Sequence, residues 1–193
     1  MPKKVDHQAR RTQIADALMR VAAEQGLEAV SLRHVAAAAG VSAGMVQHYF
    51  RTKDEMMAFA LAVVRDRNQV RVTEAVGRLG DDPPPRLLLR TMISALLPLD
   101  EESRADGRVA LAFLAYTAVR PAAARALRDD TVQMVGFLAG LLPGPDAAAE
   151  AAGLLALMEG LGVYLLGGQF TAEQALGALD AHMDLLFTGR VLA

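Results

Sequence analysis

The chain contains no cysteine. Disulfides and thiolate metal sites are therefore excluded. It also lacks any run of about 18 apolar residues free of charge and glycine, the length a bilayer requires. The nearest approach, Leu154 to Leu166, carries Glu159 and two glycines. No transmembrane helix and no membrane partner is expected. The opening residues, MPKKVDHQARR, lack the apolar run of a signal peptide, and a cytoplasmic location is expected. Alternating β-branched stretches are nearly missing, which argues against a sheet. No internal repeat is visible.

Catalytic signatures are missing too. There is no His-Glu-x-x-His and no glycine-rich phosphate loop. The four histidines, His7, His34, His48 and His182, are far apart in the chain. His182 and Asp184 stand two apart on a predicted helix, so they do not share a face. A helical enzyme fits poorly. No catalytic residue, metal ligand or cofactor is expected.

What is present is apolar and unevenly charged. Hydrophobic residues fill 53% of 193 positions, enough for one compact domain or two smaller ones. Residues 1–53 hold eight Lys/Arg against four Asp/Glu, while the rest hold twelve against eighteen. A basic head on an acidic body suggests that only the head meets a polyanion.

Helix signals run the whole length. Ile14, Leu18, Val21 and Ala22 form one stripe, closed by Gly26 with Leu27 behind it. Ser31 reads as an N-cap, with Val30 and Val35 as a hydrophobic staple across it. That second helix ends at Gly40. Ser42 caps a third, and Thr52 with Glu55 forms a capping box for a long fourth that keeps an apolar face to Gly80. Asp82-Pro83 stops and restarts the chain. Further helices follow around Leu88–Leu96, Val109–Tyr116 and Leu127–Leu142. The last two, after Pro143-Gly144-Pro145, are Asp146–Leu166 and one opened by a Thr171-x-x-Gln174 box and closed by Gly189. The expectation is an all-α chain of nine helices: three short ones to residue 50, a long connector and five more. Its domains would be 1–52 and 53–193.

Residues 31–50 have the shape of a helix-turn-helix. Helices this short are unstable alone. They must pack on the first helix through Val35, Ala36, Val41, Val46 and Phe50. Ala43, Gly44, Met45, Gln47 and His48 then remain outward on the third helix, behind Ser42 at its start. Small residues there let the backbone approach another surface, and a major groove admits a helix. His48 contacts DNA or merely covers the turn. Arg33 and His34, at the start of the second helix, can reach a phosphate backbone. Arg10 and Arg11 form either a DNA-binding arm or a solvated basic end. Lys53 falls at the first position of the fourth helix, where a cation is locally unfavourable. A phosphate at that terminus would reverse the sign.

The string GVSAGMVQHYFRTKDE resembles the core of the tetracycline-repressor (TetR) family of bacterial regulators, over roughly residues 8–68. The marks are Gly40-Val41-Ser42, the Tyr49-Phe50 ending and Lys53. The resemblance implies a recognition helix at the third position, binding to double-stranded operator DNA as a homodimer, and phosphate contacts from Tyr49 and Lys53. Where the family commonly has tyrosine, this chain has Gln47, which can pair with adenine. The segment Met158-Glu159-Gly160-Leu161 is similar in layout to the choline-responsive subgroup.

In the family, the remaining helices form a ligand pocket and a dimer interface. Ala149, Gly153, Ala156 and Gly160 make a small-residue stripe. With the Leu179-Met183-Leu186 face of the last helix it suits a four-helix dimer bundle, or ordinary packing within one chain. Met92, Phe113, Tyr116, Met134, Phe137, Met158 and Tyr164 suit either a pocket wall or a plain core. Glu159, amid apolar neighbours, needs a cationic ligand, an arginine or water. The function expected is a repressor released by an unidentified small apolar or amphipathic effector. The alternative is an architectural DNA binder with a filled core.

Overall fold

A computed structural model of the chain describes residues 2–26, 29–118 and 120–188. Among them are nine helices and no strand: α1 (Pro2–Gln25), α2 (Leu32–Ala39), α3 (Ala43–Tyr49), α4 (Lys53–Gly77), α5 (Pro85–Leu96), α6 (Glu101–Ala118), α7 (Pro121–Ala139), α8 (Ala147–Leu166) and α9 (Ala172–Thr188). Leu27 and Gly189, read above as helix-end residues, lie outside the described residues. The fold class is the one expected, with an N-terminal helix-turn-helix.

The first helix is not short. α1 spans 24 residues because nothing between Pro2 and Gly26 breaks it. Arg10 and Arg11 are thus helical rather than an extended arm. Arg11 holds its guanidinium 4.5 Å from the Phe59 ring centroid and 5.1 Å from that of Phe50.

Two compact units emerge. One takes the described residues up to Arg67 together with Arg104–Ala123, and the other Asn68–Ser103 with the described residues from Ala124 onward. The unit that contains the helix-turn-helix therefore continues past residue 52. Met56, Met57, Ala60 and Val64 of α4, with Val109 and Phe113 of α6, join Ile14, Leu18, Val35, Val46 and Phe50 in one core. Each of the larger apolar side chains contributes about 1.5–3 kcal/mol when fully buried. Arg67 of α4 bonds Asp16 of α1 at 2.8 Å and the buried Asp106 of α6 at 3.1 Å.

The second unit is built on α5, α7, α8 and α9. Leu89, Ile93, Leu138, Leu154, Leu165 and Leu179 lie at its centre. Arg90 grips Asp180 with two bonds, at 2.5 and 2.9 Å, and Arg86 meets Asp184 at 2.5 Å. The order of these pairs makes α5 and α9 antiparallel. The bond from Arg90 holds the Asp180 carboxyl below its usual range.

Helix ends explain most boundaries. Thr171 and Gln174 exchange both bonds of a capping box, at 2.9 and 3.2 Å. At α4 the box is offset: Thr52 accepts from the Glu55 amide, but the Glu55 carboxylate accepts from Arg51, one residue earlier than expected. The charged segment after Asp100 is the opening of α6 itself. Asp100 and Ser103 cap each other's amides at 3.0 and 2.8 Å. The Ser103 amide, then its hydroxyl, lowers the Asp100 carboxyl.

One expectation about the last helices is corrected. Leu179 and Met183 are wholly buried in their own unit, and Leu186 packs against it, so they are not a free face. By contrast Ala149, Gly153 and Ala156 of α8 are exposed and Gly160 is half-buried. α8 is also long and apolar enough, by length and composition, to cross a membrane. Its apolarity comes from two faces. Ala151, Leu154, Leu161 and Leu165 fill the core, while the exposed residues are small from Ala148 to Ala156 and are followed by Glu159, Val163 and Tyr164.

Candidate nucleic-acid interface

The helix-turn-helix is assembled from caps. Ser31 accepts the His34 amide at 3.2 Å to start α2. Gly40 ends it in the left-handed region, φ 66°, where a side chain would be strained. The Val41 amide returns to the Ala36 carbonyl at 3.0 Å, the 6→1 bond of a Schellman end. Ser42 then accepts the Met45 amide at 3.1 Å and α3 begins. The turn is thus two capped ends back to back, which leaves almost no loop to vary.

Supports that local patterns do not reveal come from α1. Arg20 donates to the Ala38 carbonyl at 2.8 Å and Gln13 to the Ala39 carbonyl at 3.0 Å. These are terminal carbonyls of α2 that lack helical partners. Both donors lie far back in the chain, so spacing could not single them out.

On α3, Val46 and the following Phe50 are fully buried and fix its orientation. Ser42, Ala43, Gly44, Met45, Gln47 and His48 are exposed together on one side. A Cβ built at Gly44 would meet only Ser42 Oγ, at 4.0 Å. Nothing inside the chain requires glycine there.

The neighbouring residues are more committed. Tyr49 is half-buried, with His7 at 4.6 Å and His48 at 5.3 Å between ring centroids. Arg33 is exposed. His34 is exposed but its Nδ1 already meets the Ala29 carbonyl at 2.7 Å, which leaves Nε2 for any outside partner. Lys53 opens α4 and is half-buried, directly before Asp54.

The residues read as ligand contacts are scattered, and Tyr164, read with them as pocket wall or core, is exposed. Phe113 and Tyr116 are buried in the first unit, and the Tyr116 hydroxyl is bonded to Asp54 and Arg120. In the second unit Met92 and Met158 are half-buried, whereas Met134 and Phe137 are exposed. Glu159 is exposed as a residue, yet apolar surroundings strip water from its carboxyl and push it above the usual range. A groove of about 350 Å³ does exist in the second unit, lined by other residues. Arg71 and Glu74 of α4, Arg78 just past it, Arg90 and Ser94 of α5, and Leu97, Leu99 and Asp100 beyond line it. No group of three or more potential metal-binding side chains occurs among the described residues.

Comparison with known proteins agrees with this geometry. Residues 14–59 match the family described as bacterial regulatory proteins of the tetR family, and residues 85–188 the C-terminal part of BetI-type transcriptional repressors. The chain is 33% identical to the HTH-type transcriptional regulator PksA of Bacillus subtilis, over 86% of this chain and 83% of that protein. It is 32% identical to the HTH-type transcriptional regulator BetI of Burkholderia thailandensis, over 98% of this chain and all of that one. A transcriptional regulator from Rhodococcus sp. Rha1 has a similar structure, with TM-score 0.84 and 36% identity over 93% of this chain and 96% of its own. The chain therefore belongs to the TetR family of DNA-binding bacterial transcriptional regulators, with a C-terminal part of the BetI type.

Proposed function

We propose that this regulator is a repressor that binds operator DNA as a homodimer and leaves it when a small molecule binds. The observation that carries the reading is the α3 surface: a short helix anchored by Val46 and Phe50, with Ala43, Gly44, Met45, Gln47 and His48 all turned out of the fold. Ala43 and Gly44 allow the backbone close to the groove floor. Gln47 reads an adenine through N6 and N7, and Met45 and His48 flank it. Ser42, Tyr49 and Lys53 hold phosphates, with Arg33 and His34 on the neighbouring backbone. Repression is supported by the description that residues 85–188 match.

Dimerisation is supported by the open face of α8. A Cβ added at Gly153 or Gly160 would meet nothing within 4 Å, so these glycines serve no packing purpose inside the protomer. Gly177 and Ala181 continue the small exposed surface on α9. A twofold pair places recognition helices about 34–36 Å apart, one turn of DNA. The effector enters the second unit. The groove there has the volume of a small-molecule site, and its mixed lining of Leu97 and Leu99 with Arg78, Glu74 and Asp100 suits an amphipathic molecule. By preferring a wider spacing of the two recognition helices, the effector releases DNA through a population shift.

The test is a pair of variants against a randomised duplex pool and a salt titration. Gln47→Ala relaxes preference at one or two base pairs, by about 1–3 kcal/mol. Lys53→Ala weakens all sequences alike and lowers the salt slope by about one for each half-site. If both variants keep the parent's profile, the contact assignment is wrong.

A further inference from the structure

We infer that Tyr116, near the end of α6, and Arg120, just past it, are positioning residues for the DNA contact at the start of α4. This rests on reading Lys53 as a phosphate ligand. Tyr116 is buried, 8% exposed, with its ring 6.5 Å from that of Phe113. Its hydroxyl donates to Asp54 Oδ1 and accepts from Arg120 Nη1. The Arg120 guanidinium lies 4.1 Å from the Tyr116 ring centroid, and its Nη1 is 3.5 Å from Asp54 Oδ1. Asp54 directly follows Lys53 in the first turn of α4. Two groups, one near the end of α6 and one just past it, thus close on the residue beside the proposed phosphate ligand.

Stability is a poor explanation for this cluster. The Asp54 and Arg120 side chains are 66% and 52% exposed, and exposed ion pairs contribute little. The buried phenol is different, because a buried hydroxyl must find an acceptor. Burial first, then the bond and charge of Asp54, push the phenol above its ordinary value, while Arg120 offsets part of the rise. The hydroxyl therefore stays protonated and remains a donor through the neutral range. Two consequences reach Lys53. The first turn of α4 is held in one place by α6. The Asp54 carboxylate, which would otherwise repel a phosphate at this terminus, has its charge offset by Arg120 and its oxygen occupied by Tyr116.

Tyr116→Phe removes the hydroxyl and keeps the ring, so the core is undisturbed. The full-length protein is titrated with a mixed-sequence DNA duplex of about 30 base pairs, long enough for two half-sites. Tyr116→Phe lowers affinity about three- to ten-fold, with helicity and thermal midpoint kept. Arg120→Ala acts in the same direction. In a Lys53→Ala background the effect of Tyr116→Phe disappears, since the contact it positions is already gone. If Lys53→Ala alone leaves affinity unchanged, the phosphate reading fails. If Lys53→Ala weakens binding but Tyr116→Phe does not, or acts at full strength on top of it, the positioning role fails.

Discussion

Gly44 illustrates how a single residue can be held by something outside the chain. Alanine there would fit, since the nearest atom to its Cβ is Ser42 Oγ at 4.0 Å. Alanine is also favoured over glycine in a helix by about 1 kcal/mol. Gly44→Ala should therefore raise the urea midpoint slightly while weakening DNA binding. Equal or tighter binding would remove the close-approach role. Glu159 raises a different point at this scale. Partial loss of water around it raises its carboxyl, so the folded chain holds more protons than the unfolded one just above the ordinary value of 4.5. Stability then falls as pH rises through that window. Glu159→Gln cannot ionise, so that decline should flatten in urea melts run at pH values from about 4 to 7. An unchanged slope would show that Glu159 is well hydrated. The exposed residues of α3 were legible in the sequence because a capped short helix leaves few positions outward. Tyr116 was not, because an apolar spacing cannot tell a pocket wall from a hydroxyl that reaches back to Asp54.

Among the elements, α8 is the most informative. Its length and apolarity look like those of a membrane span, yet one face fills a core with α5 and α9. The other face is exposed, small from Ala149 to Ala156 and then carrying Glu159, Val163 and Tyr164, and it is the surface proposed to pair the protomers. Gly153→Arg fits the lone protomer, where nothing lies within 4 Å of a Cβ, and it adds a good helix former. It should leave the fold intact and convert the dimer to a monomer in sedimentation velocity, with loss of tight DNA binding. A dimer that persists would move the interface elsewhere. The small-residue spacing on α8 was readable in advance. Its partner surface was misread on α9, because Leu179 and Met183 look equally suited to a dimer seam and to their own core. Only the direction of the helix decides, and α9 turns Leu179 and Met183 inward, leaving Gly177 and Ala181 outward. At α6 the charged segment after Asp100 is helical, and the Asp-x-x-Ser cap that opens it was present in the sequence.

At the scale of the molecule, charge divides the chain more sharply than its net value of −2 implies. The basic head draws DNA and the acidic remainder repels it, which favours one orientation during encounter. The head's own coherence comes from a less conspicuous source. Arg20 and Gln13 of α1 hold the last carbonyls of α2, and Ile14 and Leu18 underlie the same core. Neither α2 nor α3 has the length to persist alone. Opening of the reading motif is therefore governed by the departure of α1. How long the two short helices survive between unfolding events is a kinetic property set by a neighbour that lies outside the reading motif itself.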